Sequence, residues 1–186
     1  LCDGNPLDSG EVTYFSSEVS NISSELNYVQ PQVAVVNGGK LDLSEPITQE
    51  KIDEVFNGFA EFVSAEPIII KINNDIVLEE SIEMDENITL DLDGHTVKGP
   101  SGKEDGESGD AAIKVTGNNL NLDLINGGSV SGGDGANGST GGNGGAAIDF
   151  GSTHGGEVNI SENIDIFGGN GGNGVEGAGG NGGDGI

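Results

Sequence analysis

The sequence predicts an all-β protein. The expected fold is a parallel β-helix with three strands per coil, an N-terminal capping helix, and glycine-rich polyproline II-like inserts stacked at one corner. Three observations predict it. From Ile68 onward, short runs alternate apolar and polar residues and are split by Asn, Asp and Gly, the pattern of strands and turns. Long inserts at 98–111, 131–146 and 168–185 recur before every third run, so three strands make one repeat. In two of these inserts glycine fills every third place, at Gly132, Gly135, Gly138, Gly141 and Gly144, and at Gly168, Gly171, Gly174, Gly177, Gly180 and Gly183. A period of three is that of polyproline II, with a rise of ~3.1 Å per residue.

Composition agrees with a thin, repetitive core: 35 of 186 residues are Gly and none is Trp. The net charge is −26, and all six bases are lysine. Such a surface repels nucleic acid and anionic membrane faces and suits a salty or divalent-rich exterior. The single cysteine, Cys2, excludes an internal disulfide framework and leaves a free thiol, an intermolecular bond or a lipid attachment open. No apolar run approaches the ~20 residues of a membrane span. The chain lacks an initiator Met and stops at Ile186, where a new strand should open, so it reads as part of a longer chain.

Taken in order, residues 1–43 read as an N-terminal arm for assembly. Val12, Phe15, Val19, Ile22, Leu26 and Val29 fit a heptad, whereas the alternating VTYF and VAVV runs also permit extended strands that pair with a neighbouring subunit. Deleting 1–43 is expected to leave the body folded and to abolish assembly. Residues 44–67 read as the capping helix: Ser44 to Thr48 start it, Ile52, Val55, Phe56, Phe59, Phe62 and Val63 form its apolar stripe, and Pro67 ends it. Strands follow at 68–72, 76–78, 82–84, 88–92, 96–98, 112–115, 120–125, 129–131, 147–150, 157–160 and 164–167, within a β-helix body of 68–186.

Superposed strands agree in pattern. Ile88, Leu90 and Leu92 are expected over Leu120, Leu122 and Leu124, then over Val158 and Ile160; Ile113 and Val115 over Ile148 and Phe150. Residues 68–99, and the stretch ITLDLDGHTV (88–97) in particular, resemble the opening coils of right-handed β-helix proteins of the pectate-lyase-like superfamily. The resemblance implies right-handed winding and an extracellular setting. It does not choose among lyases, hydrolases, adhesins and tail-fibre proteins, which share that fold.

The three inserts should lie above one another. A polyproline II strand has no internal hydrogen bonds, so its amides need lateral partners, and glycine lets two such strands approach. The arms resemble the glycine-rich layers of phage receptor-binding adhesins and of a glycine-rich insect antifreeze protein. Collagen is excluded by the short runs and the missing proline; a flexible linker is the plainer alternative. Calcium is the one cofactor left open, because 179–186 fits a G-G-x-G-x-D-x-U repeat and 168–175 and 132–139 fit it with Asn for Asp.

Chemistry is sparse. Asp91 and Asp123 are expected to stack one coil apart, roughly 5 Å, a spacing that suits a retaining glycosidase or a bridging calcium. The plainer reading is a solvated acidic face with no lysine beside it. His95 and His154 read as turn residues. Asn21, Asn87, Asn137 and Asn159 sit in N-x-S/T sequons. No catalytic, cofactor or metal residues are assigned. The expected function is that of a non-enzymatic, extracellular, cell-surface or virion structural or adhesive protein, a subunit of a fibre, appendage or tail-fibre-like adhesin. It self-assembles through its N-terminal segment and meets a surface glycan or receptor at its arms. A carbohydrate-active enzyme and an ice-binding protein are the alternatives.

Overall fold

The computed structural model describes residues 33–41, 46–151 and 155–186, all within one unit of the chain. Among the described residues there are fourteen strands and one helix, in order: β1 Ala34–Val36, β2 Gly39–Leu41, α1 Gln49–Phe56, β3 Ala60–Ala65, β4 Ile68–Ile72, β5 Ile76–Leu78, β6 Ile82–Met84, β7 Ile88–Asp91, β8 Thr96–Lys98, β9 Ile113–Val115, β10 Leu120–Ile125, β11 Gly128–Ser131, β12 Ile148–Asp149, β13 Gly156–Ile160 and β14 Ile164–Phe167. They form three sheets: sheet I (β1-β5-β8-β11-β14), sheet II (β13-β10-β7-β4-β3) and sheet III (β12-β9-β6-β2).

These sheets correct the expected right-handed parallel β-helix. The strands make three separate sheets, and sheet II is mixed: β3 runs antiparallel to β4, with a register shift between Phe62 and Ser64. The helix is not an N-terminal cap either, because β1 and β2 precede it. Nor does it extend to Pro67; it ends at Phe56. Thr48 caps it, accepting from Lys51 N at 3.3 Å, and Asn57 (φ 50°) followed by Gly58 (φ 78°) stops it in the left-handed region. Residues 60–65 then turn back as β3. The Gln49 side chain ties the two together, donating to Ala60 O and accepting from Phe62 N at 2.9 and 2.7 Å.

Residues 34–41, expected in the assembly arm, belong to the body. β1 pairs with β5 and β2 with β6, and Ala34, Val36 and Leu41 are buried. Removing 1–43 would therefore take β1 and β2 out of the sheets rather than an arm alone. The heptad positions Val12 to Val29 lie outside the described residues.

All three sheets face one core. Sheet I sends in Ile76, Leu78, Val97 and Val130; sheet II Ile70, Ile72, Leu90, Leu122 and Leu124; sheet III Ile82, Met84, Ile113, Val115 and Ile148. Ile52, Val55 and Phe56 of α1 join them. Alternation puts their neighbours outside, as the period of two requires. At three of its crossings from sheet II to sheet I, β7 to β8, β10 to β11 and β13 to β14, the chain turns through a left-handed residue, Asp93, Asn126 and Asn163 with φ of 46°, 65° and 63°. Asx side chains tolerate that conformation better than most.

Candidate functional site

The glycine inserts occupy one place in the topology, between a sheet I strand and the next sheet III strand: arm 1 between β8 and β9, arm 2 between β11 and β12, arm 3 after β14. Each runs out and back. Amides in one phase bond to the arm alongside: Gly132, Gly135 and Gly138 N donate to Phe167, Asn170 and Asn173 O at 2.8–3.0 Å, and on the return limb Gly141 and Gly144 N donate to Ala178 and Asn181 O. A second phase bonds across limbs. Gly142 and Gly145 N reach Ala136 and Gly133 O within arm 2, Gly133 and Ala136 N reach Asp110 and Glu107 O of arm 1, and Gly169 and Gly172 N of arm 3 reach Gly145 and Gly142 O.

Side chains of neighbouring arms serve the third phase. Ser101 Oγ accepts from Asp134 N, and Asp134 Oδ1 from Asn170 N at 2.9 Å; Asn137 Oδ1 accepts from Asn173 N at 2.7 Å; Ser108 Oγ accepts from Asn143 N, and Asn143 Oδ1 from Asn181 N at 2.9 Å. The working unit is therefore a triplet of two small residues and one polar one. The period of three marks the first glycine of the triplet in arm 2 and on the outgoing limb of arm 3, and the second, Gly180 and Gly183, on the return limb of arm 3. The second glycines of arm 2 lie outside that period and are as tightly held: a Cβ on Gly133 would meet Pro100 O, and one on Gly142 would meet Glu107 O. The signal was the recurring GGD and GGN at 132–134, 141–143, 168–170 and 171–173.

The acidic face is arranged differently from expectation. In register, Asp123 lies beside Thr89 and Asn159, and Asp91 lies beside Ile125 and Lys71. Asp91 and Asp123 are not stacked. A shift of two residues between β7 and β10 separates them while keeping every side chain on its face, so alternation could not detect it. Asp123 accepts from Asn159 Nδ2 at 2.8 Å and from Thr89 Oγ1 at 3.5 Å. Lys71, expected to be remote, pairs with Asp93 at 2.8 Å. The hydrogen bond to Asp93, with its charge, raises the Lys71 pKa, and the same bond holds the Asp93 carboxyl below its usual range.

Three further lysines are tied in the same way: Lys40 to Asp85 (2.9 Å), Lys98 to Asp134, and Lys114 to Asp110 (3.3 Å). On sheet III the outward column Lys40–Glu83–Lys114–Asp149 alternates in sign. His95 follows the Asp93–Gly94 turn, its Nδ1 3.4 Å from Asp75. His154, Cys2 and Asn21 lie outside the described residues. The sequon residues Asn87, Asn137 and Asn159 use their side chains structurally, Asn87 Oδ1 accepting from Asn121 N at 2.7 Å. Among the described residues no three His, Cys, Asp or Glu side chains converge to hold a metal ion, and no helix is long and apolar enough to cross a membrane.

No protein-family model matches this chain, and no curated protein or solved structure does either. The resemblance to the pectate-lyase-like superfamily gains nothing from those comparisons.

The corner between sheet I and the outgoing limbs is the other built feature. The outward column Val77–Lys98–Ser131–Phe167 of sheet I runs into Asp134 and Asn170 of the limbs. Burial alone would push the Asp134 carboxyl up. Hydrogen bonds from the Lys98 ammonium and from Asn170, with the Lys98 charge, outweigh it and hold the carboxyl below its usual range.

Proposed function

We propose that this chain is an extracellular structural or adhesive protein that acts without catalysis, as a subunit of a fibre, surface appendage or tail-fibre-like adhesin. The observation that carries the reading is the arm layer. Three out-and-back limbs spend their amides on one another and turn their polar side chains outward in rows. Such a layer costs much backbone ordering and buries almost no apolar surface. It makes sense as a stiff, patterned surface for recognition or lateral packing. The carboxylate pair that motivated an enzyme is parted by the register, and each member has a structural partner or neighbour. Assembly through the N-terminal segment falls to the residues before Val33, since 34–41 are built into the sheets.

Electron microscopy of the native material tests the proposal, combined with a reducing-sugar and unsaturated-product assay on polysaccharides. Fibres or surface appendages without turnover are expected. Dispersed monomers that cleave a polysaccharide would overturn it.

A further inference from the structure

The corner cavity between sheet I and the arms has a volume of about 280 Å³ and is lined by Lys98, Ser131, Asp134, Phe167, Asn170 and glycine backbone. Phe167 is its unusual member. On β14, Ile164 and Ile166 pack against the core, whereas Phe167 is 53% exposed, the only phenylalanine among the exposed large apolar residues of the described chain. Isolated exposed aliphatic residues are ordinary, but an aromatic ring set beside convergent polar groups in a concavity is how small-ligand sites are built.

Those polar groups are held in place. Asp134 accepts from Lys98 Nζ, from Asn170 N at 2.9 Å and from Asn170 Nδ2 at 3.1 Å, and its own N–H donates to Ser101 Oγ at 3.1 Å. The Lys98 ammonium has three N–H donors and the Asn170 amide both donors and an acceptor, so these contacts leave hydrogen-bonding capacity over. Everything stands on paired strands and on the bonded arm layer, not on a free loop.

Charge selects the ligand class. Lys98 and the ionised Asp134 cancel, so the cavity is neutral within a chain of net charge −26. An anionic ligand meets the field of the whole protein, and the Asp134 carboxylate that would attract a cation is already paired with Lys98. What fits is a neutral molecule with one apolar face for the ring and several hydroxyls that both donate and accept. The size is just below the roughly 300–1,000 Å³ of ligand pockets, enough for one ring and not for a long oligomer.

We propose that this corner is a subsite for one hexopyranose unit of a neutral polysaccharide. The C–H face of the sugar lies on Phe167, and its hydroxyls bond Lys98, Asp134 and Asn170. The inference rests on the adhesive reading and deepens it.

The test is an NMR titration of the isotope-labelled full chain with the methyl glycosides of glucose, galactose, mannose and N-acetylglucosamine. Millimolar affinity is expected for at least one, with shifts centred on Phe167, Ser131 and Asn170. Phe167→Ala should weaken binding about tenfold or more. Asn170→Ala should weaken it less, with the remaining spectrum unchanged. No shift at Phe167 with any glycoside at roughly 50 mM would overturn the subsite. So would binding that Phe167→Ala leaves intact, or tighter binding of an apolar tripeptide at the same ring. Fibres that bind no glycoside would sink the subsite alone, whereas cleavage of a glycoside during the titration would sink the non-catalytic reading.

Discussion

The three-sheet body and the arm layer are held together by opposite means. In the body, Leu90, Leu122, Leu124, Ile113 and their neighbours are almost wholly removed from water, and backbone pairing follows from where those side chains must go. In the arms nothing comparable is buried. Limbs approach because Gly133, Gly142 and Gly172 carry no Cβ, and cohesion comes from amide bonds between arms and from Asn, Asp and Ser side chains that cap the leftover N–H groups. Body positions tolerate exchanges that conserve volume. Gly133, Gly142 and Gly172 leave no room for a side chain, because the obstacle is backbone.

The sharpest way to break the body is to cut the chain after Leu41. That removes β1, β2 and the buried Ala34, Val36 and Leu41, and is expected to cost about 5 kcal/mol or more. Chemical denaturation should show loss of the cooperative transition. Next comes Leu122→Ala, a cavity in sheet II, expected to destabilise by about 2–5 kcal/mol. The matching lesion in the arms is Gly142→Ala, where the new methyl group meets Glu107 O. A loss of about 1–3 kcal/mol is expected, and a neutral result would show that the limbs do not pack. Smaller again is Asn143→Ala, which strips the acceptor from Asn181 N–H, for about 0.5–1.5 kcal/mol.

Asp134 adds a pH test of the join between the two regions. Its folded pKa lies below its unfolded one, so its contribution is complete above about pH 4 and is lost as pH falls through the folded value. Asp134→Asn should flatten that part of the acid stability curve.

The strands from Ile68 onward and the positions of the inserts were legible, because alternation and inserted glycine are local signals. Sheet assembly was less so. The stripe Phe59, Phe62, Val63 fits a helix as well as a strand, and only Asn57-Gly58, a helix-stop signal, marks the change to β3. The Asp91–Asp123 stack failed because a two-residue slip preserves faces. The corner site was not legible at all: Lys98, Asp134 and Phe167 are far apart in the chain and meet only where sheet I runs into the limbs.

The glycine arms form an ordered, hydrogen-bonded layer. Amide hydrogen exchange measures this residue by residue. The middle arm is enclosed by the other two, so Gly132, Gly135, Gly141, Gly142 and Gly144 are predicted to exchange as slowly as Leu122 and Leu124 of β10. Exchange of those glycine amides at the rate of an unstructured chain, with β10 still protected, would contradict it.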